Sequence, residues 1–318
     1  MAVSVIVCAY TERRWAELLS AIASLEQQTR RPDEIIVVID HNDALFARAR
    51  EHFTGIVLLP NRHSKGLSGA RNTGIAHAAG AMIVFMDEDA VADPSLIERM
   101  LTHFADPEVV GVGGAILPSW VTQCPRWFPE EFNWVVGCTY IGMPTQTAPV
   151  RNLIGCNMAY RRGVFTAAGV FREGIGRVDT IPLGCEETEL CIRIHQTLPE
   201  SQLLYDPQIV VRHVVPAARS NWGYFRSRCY AEGFSKALIS QFVGSDAGLS
   251  SERSYTLKTL PRGVLRGLAD ALKGDFSGVG RAVAITAGLL ITAAGYAYGV
   301  QHFTRHPLVL GAPPRPDT

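Results

Sequence analysis

Residues Ala81–Ala90 read AMIVFMDEDA. Met82 to Met86 form an unbroken apolar run, which fits a strand buried on both faces in a sheet covered by helices. Asp87, Glu88 and Asp89 then place three carboxylates at the strand's carboxyl end. Repulsion and lost hydration make that costly unless a cation shares the position. The plainer account is a solvated loop, since Asp93-Pro94-Ser95 follows and opens a helix. The buried strand immediately before the acids favours a site.

Working outward, Val3–Cys8 (VSVIVC), Ile35–Ile39 (IIVVI) and Ile56–Leu59 (IVLL) repeat the apolar-strand pattern. Leu18, Leu19, Ile22 and Leu25 give the intervening Arg14–Gln28 segment helical spacing. The stretch KGLSGARNTG reads as a glycine-rich turn leading into a small-residue helix, Ala70–Ala79. Strands apolar throughout and alternating with helices imply an α/β sheet, mostly parallel, with helices on both faces. Ligands of such sheets bind at the carboxyl ends of the strands. Cys8–Thr11, Asp40–Asp43 and Asp87–Asp89 all fall at such ends and should share one crevice. From about Gly111 to Asp206 the reading is loops, short strands and a helix opening near Glu186, the second half of the same domain.

The C-terminal third differs. Trp222–Ile239 reads as a helix, and Arg219, Arg226, Arg228 and Lys236 there could meet an anionic lipid phosphate or form a solvated basic face. Ser254–Lys273 is amphipathic, with Leu257, Leu260, Val264, Leu265, Leu268 and Leu272 opposing Lys258, Arg262, Arg266 and Lys273. Ala282–Val300 carries no charge over about the length that spans a bilayer. Its Ala and Gly content equally fits a packing helix, while the basic helix before it favours membrane contact. The expected units are therefore 1–215, a 216–306 helical extension at a membrane surface, and a flexible tail, 307–318.

The chain has 318 residues, with 30 Lys plus Arg against 30 Asp plus Glu, and this zero net charge argues against a general nucleic-acid binder. The opening MAVSVIVCAY lacks the basic start of a secretory signal and reads as a strand. Seven scattered cysteines without a CxxC pair fit reduced thiols in a cytoplasmic protein, not a zinc site or disulfide framework.

Carboxylates at a strand end suit Mg²⁺ or Mn²⁺, which prefer oxygen ligands and leave positions for phosphate. Arg71, in GLSGARNTG, could bind a diphosphate through its guanidinium, or be a surface arginine at a helix start. The turn matches neither GxxxxGK[ST] nor GxGxxG. Glu186, Glu187 and Glu189, in GCEETELCIR, would favour a helix N-terminus on electrostatic grounds alone.

Taken in order, VSVIVCAY (3–10), IIVVIDHND (35–43), GLSGARNTGIAHAAG (66–80), FMDEDA (85–90) and GCEETELCIR (184–193) resemble the family 2 glycosyltransferases, inverting nucleotide-sugar-dependent enzymes of GT-A fold. The resemblance spans about Val3 to Val215. VRNLIGCNMAYRR (150–162), RHVVPAAR (212–219) and YFRSRCYAEGFSKAL (224–238) more narrowly resemble members acting on polyprenyl- or dolichyl-phosphate-linked sugars.

The resemblance implies roles. Cys8, Ala9, Tyr10, Glu12 and Asp40 would line the nucleoside pocket, Arg71 would lie near base or diphosphate, Glu88 would face the donor, and Asp87 would face the ribose or the metal. Asp89 would bind the metal, with His213, in VVRHVVP, joining it. Glu186, Trp134, Asn157 and Arg219 would border donor sugar and acceptor. Trp134 is equally at home in the core, and a lone strand-end histidine is commonly structural. The family carries Glu-Asp where this chain has Glu186-Glu187, so the general base falls on Glu187 with a longer side chain. His41 replaces a second acid beside Asp40, which bears on uracil recognition. The implied reaction moves sugar from a nucleotide-diphosphate donor, UDP favoured, to a glycan or polyprenyl-linked hydroxyl at the cytoplasmic face of a membrane. Two other classes are weighed against it: a sugar nucleotidyltransferase, which would need a glycine-rich loop where CAYTERR stands, and a nucleotide-sugar-binding protein without turnover.

Overall fold

The fold is described from a computed structural model, covering residues 1–175, 184–243 and 254–306. The expected tail, 307–318, lies outside the described residues. Strands β1 (Val3–Ala9), β2 (Glu34–Ile39), β3 (Val57–Pro60) and β4 (Met82–Asp87) alternate with helices α1 (Trp15–Glu26), α2 (Asp43–His52) and α3 (Leu67–His77). They pair in parallel in the order β3-β2-β1-β4. Strands β1, β2 and β4 are buried on both faces, which is why their sequences are apolar without alternation, while β3 at the sheet edge is only partly buried.

Beyond β4 come β5 (Ala90–Ala92), α4 (Leu96–His103), β6 (Val109–Trp120), β7 (Ala148–Pro149), β8 (Asn157–Arg161), α5 (Gly163–Ala168), α6 (Glu186–Thr197) and β9 (Gln202–Val215). All these strands join the same sheet, which continues β4-β8-β6-β9-β5 with β7 beside β9. The sheet is thus parallel through its first half and mixed beyond. Two apolar layers cover its faces, one under α1 and α4 and one under α3, α5 and α6.

Two expectations need correction. The second half does hold short strands, five residues in β8 and two in β7, but also two long ones, 12 residues in β6 and 14 in β9. Their glycines and prolines hid this, because Gly111, Gly113 and Gly114 lie where strands and side chains approach too closely for a Cβ. The stretch GLSGARNTG is not a ligand-cradling turn but lies mostly inside α3. A Cβ on Gly74 would stand 2.7 Å from Ile6 of β1, so its small size lets the helix sit directly on the sheet. Asn72 is spent on structure too, its amide exchanging hydrogen bonds with the Phe171 backbone at 2.8 and 3.0 Å.

After β9 the chain is helical: α7 (Trp222–Val243), a single π-turn (Tyr255–Thr259), α8 (Leu260–Leu272) and α9 (Ser277–Arg305). Helix α9 is long and apolar enough to cross a membrane, with 28 % of its most apolar stretch buried. Its buried side is rich in small residues, Gly278, Ala282, Ala284, Gly288, Gly295 and Gly299, and packs against α7 and α8.

Candidate active site

Register brings the strand ends together. Cys8 pairs with Asp87 across β1 and β4, and Asp40 N donates to Ala9 O at 2.8 Å. Strand β8 runs antiparallel to β4 with Asn157 opposite Met86, so Gly155 and Cys156 reach the same edge. These ends open into a cavity of about 840 Å³ whose far walls are the start of α6, the end of β9 and the inner sides of α7, α8 and α9.

On one wall β5 runs antiparallel to β9 with Ala90 opposite His213. Val214 N also donates to Asp89 O at 2.8 Å. His213 Nε2 consequently lies 3.2 Å from Asp89 Oδ1. Ligand atoms of Asp87, Asp89 and His213 all fall within 4.8 Å of one another. Two carboxylates and an imidazole fit Mn²⁺, and the oxygens alone fit Mg²⁺.

The three acids after β4 are not equivalent. Arg14 Nη1 lies 3.1 Å from Glu88 Oε1 and 3.0 Å from Asp89 Oδ2. Burial works to raise the Asp89 carboxyl, but His213, Arg14 and Arg219 overrule it and hold the group below the usual carboxylate range. Asp89 is therefore anionic and able to ligate. For Glu88 burial wins over Arg14, and with the Asp89 charge beside it the carboxyl is pushed up to about 8. Neutralising one acid in this way, and pairing another, relieves the charge crowding apparent in DED.

Arg71 ties this wall to the opposite one. Buried at 2 % exposure, it places Nη1 3.0 Å from Glu186 Oε1 and Nη2 3.6 Å from Asp87 Oδ1. Nη2 also donates to Gly155 O at 3.2 Å, and the guanidinium lies over the Phe171 ring at 5.2 Å. It is an internal strut at the cavity wall rather than a surface arginine.

Glu186 and Glu187 enter the cavity from the first turn of α6, delivered by Cys185, whose φ of 76° is the left-handed region unusual for a side chain of this kind. Burial, then the Glu186 charge, push the Glu187 carboxyl well above its ordinary range, against the pull of Arg71. Cys8, also on the wall, is pushed by burial up to about 12, so it is a neutral thiol and not a nucleophile.

Of the residues singled out from sequence, Cys8, Ala9, Tyr10, Asp40 and Arg71 line the cavity, as do Asp87, Glu88, Asp89 and Trp134. So do Glu186, Glu187, His213 and Arg219, and Arg228 and Lys236 join them on either side of Glu232, at 3.6 and 3.4 Å. Three do not. Glu12 is exposed in a short 3-10 turn, and Arg226 is exposed on the outer side of α7. Asn157 is buried in β8 and donates to Ala115 O and Ile209 O at 3.1 and 3.0 Å, stitching strands together. Sequence reasoning passed over Arg14, whose signal was only a basic residue shortly after the first strand, and Tyr255, which accepts from Trp134 Nε1 at 3.0 Å.

Residues 4–168 match the sequence profile described as glycosyl transferase family 2. The chain is 31 % identical over 309 residues to the glucosyl-dolichyl phosphate glucuronosyltransferase of Haloferax volcanii, covering 94 % of this chain and 96 % of that one. Among solved structures, it superposes on a mannosyltransferase from Pyrobaculum calidifontis in complex with GDP-Man and Mn²⁺. There the TM-score is 0.56 at 18 % identity, over 91 % of this chain and 86 % of that one. It also superposes on GalNAc-T7 with UDP, GalNAc and Mn²⁺, with TM-score 0.53 at 16 % identity, over 80 % of this chain and 53 % of the other. Both likenesses are of fold, the GT-A-like arrangement of sheet and helices.

Proposed function

Since the chain belongs to glycosyl transferase family 2 and is a glycosyltransferase, we propose that it transfers a sugar, with inversion, from a nucleoside-diphosphate sugar to a hydroxyl of a lipid-linked sugar. The observation that carries this reading is the pairing, across one cavity, of the Asp87–Asp89–His213 group with Glu187. The relative from Haloferax volcanii, by its name, acts on glucosyl-dolichyl phosphate, which supports a polyprenyl-linked acceptor over a free glycan. A UDP-sugar is the favoured donor, to be weighed against GDP-sugars because His41 stands beside Asp40.

In this reading Asp87, Asp89 and His213 hold a divalent cation, Mn²⁺ or Mg²⁺. Bound there, such an ion supplies positive charge to a departing diphosphate. Glu187 accepts the proton of the acceptor hydroxyl. The hydroxyl oxygen bonds to the anomeric carbon as the bond from that carbon to the diphosphate oxygen breaks, and the nucleoside diphosphate leaves with the bonding pair. Arg71 holds Glu186 and Asp87 in place, so both halves of the site keep a fixed spacing. Residues 1–215 supply this machinery, while 216–306 close the cavity on the acceptor side and bring the enzyme to the cytoplasmic face of a membrane.

The test is release of nucleoside diphosphate from UDP- and GDP-sugars, with and without Mn²⁺, in the presence of a lipid extract. Metal-dependent release stimulated by the lipid is expected. Donor binding without release under any of these conditions would overturn the reaction and leave a sugar-nucleotide-binding protein.

A further inference from the structure

Helix α8 divides its circumference in three. Leu260, Gly263 and Gly267 are buried, toward the body of the protein. Leu257, Leu265, Leu268 and Leu272 are all exposed, Leu272 at 91 %. At 3.6 residues per turn the three in α8 fall within an arc of about 60°, and Leu257 is exposed in the π-turn before them. Arg262, Arg266 and Lys273 occupy the next arc of α8, with Lys258 in the π-turn before it. All four are exposed, though Arg266 also reaches back to the buried Glu131 carboxylate at 2.5 Å, which leaves Lys258, Arg262 and Lys273 to face outward. Phe276, 79 % exposed, follows in the turn to α9, and exposed Val279 and Val283 come next. Between Ser254 and Val283 stand five basic residues against two acids in a chain of zero net charge. Both acids, Asp270 and Asp275, are held by Arg281 at 2.8 and 3.0 Å.

A leucine stripe bordered by cations is the pattern of a helix lying in a membrane interface, with apolar side chains below the headgroups and cations among them. Resting on the reading of the acceptor as lipid-linked, we infer that α8 and the α8–α9 turn dock this protein on an anionic lipid surface, without spanning it. The charge pattern selects the occupant: a bilayer surface is both apolar and negatively charged, and the stripe offers the matching halves side by side. Packing argues against a span. Helix α9 is fixed along α7, whose residues Arg228, Glu232 and Lys236 face the cavity, and insertion of the pair would carry that charged cluster into hydrocarbon. Docking by α8 instead leaves the cavity beside the surface, at the level of a lipid-borne sugar.

The full chain should float with phosphatidylcholine vesicles containing phosphatidylglycerol, weakly with phosphatidylcholine alone, and be released from both by carbonate. The triple variant Leu265→Glu, Leu268→Glu, Leu272→Glu should cut vesicle binding at least about a hundredfold, with circular dichroism and donor binding unchanged. Lys258→Gln and Lys273→Gln should each cost about fivefold at low salt, converging on wild type at high salt. Wild-type flotation of the leucine variant would overturn the assignment, carbonate resistance would replace it with a span, and a wild-type dimer made monomeric by the leucine changes would make the face a protein interface. Nucleotide release is read separately, so its absence with vesicle binding intact would strike the proposed reaction and spare this surface.

Discussion

The Arg71 guanidinium stands 3.0 Å from the Glu186 carboxylate, joining residues 115 apart in sequence, and both are almost wholly buried. Breaking one partner of such a pair strands a charge in low dielectric, which costs about 3–5 kcal/mol. Arg71→Met should therefore lower stability by about that much, and Glu186→Gln alone by less, because Arg71 keeps Asp87 and Gly155. The double variant should recover part of the Arg71→Met loss. Urea unfolding of the four proteins checks this, and strict additivity would show the contact contributes little.

Glu187 sits where burial and the Glu186 charge raise its carboxyl above the ordinary 4.5. The folded protein thus keeps a proton that the unfolded chain has released. Stability contributed by that proton is fully present below about 4.5 and is lost as pH rises toward the folded value. Glu187→Gln should flatten this decline and raise the melting temperature at neutral pH. The same change should remove the base, lowering transfer roughly 10²–10⁴-fold with donor affinity nearly intact. In the wild type, kcat/KM should climb with pH as Glu187 ionises. Thermal unfolding and pH–rate profiles of both proteins measure it, and an unchanged rate would move the base elsewhere.

Asp89 is kept anionic by His213, Arg14 and Arg219. Asp89→Asn removes the charge while preserving shape, so Mn²⁺ affinity should fall at least about tenfold and nucleotide affinity should lose its metal dependence. His213→Gln should weaken Mn²⁺ more than Mg²⁺, because only the former gains from an imidazole ligand. Titration calorimetry with each ion separates the two, and equal weakening would leave His213 a structural partner of Asp89.

How far the sequence could be read depended on whether the signal was local. AMIVFM announced a buried strand because both faces of β4 are covered, and the ends of β1, β2 and β4, with the acids after β2 and β4, gathered because parallel strands end at one edge. Glu187 followed from a resemblance in a short motif. What local signal did not carry rests on distant pairing. The approach of His213 to Asp89 was foreseen only through the resemblance, since it is made by the β5–β9 register and β5 is three residues long. Arg71 reads as a surface arginine at a helix start, yet Gly74 lets α3 sit directly on β1, and the arginine is buried. Only α8 carried clear helical periodicity, α9 being read from its uncharged length, and neither signal tells which side faces the cavity.

Helix α9 closes that cavity by lying directly on α7. Gly233 of α7 faces the backbone of Thr292, close enough that a Cβ would collide with its carbonyl oxygen, and a backbone atom cannot swing aside as a side chain would. Gly233→Val should therefore push the helices apart, costing about 1–3 kcal/mol or more through overpacking. Thr292, Ala293 and Tyr296 line the cavity from α9, a different element from the strand ends that hold Asp87 and Asp89. Acceptor KM should accordingly rise several-fold while Mn²⁺ and nucleotide affinities stay near wild type. Limited proteolysis should find earlier cleavage in the α7–α9 region, with the sheet still protected. Loss of metal binding in parallel with acceptor use would instead mean that the helices brace the whole sheet.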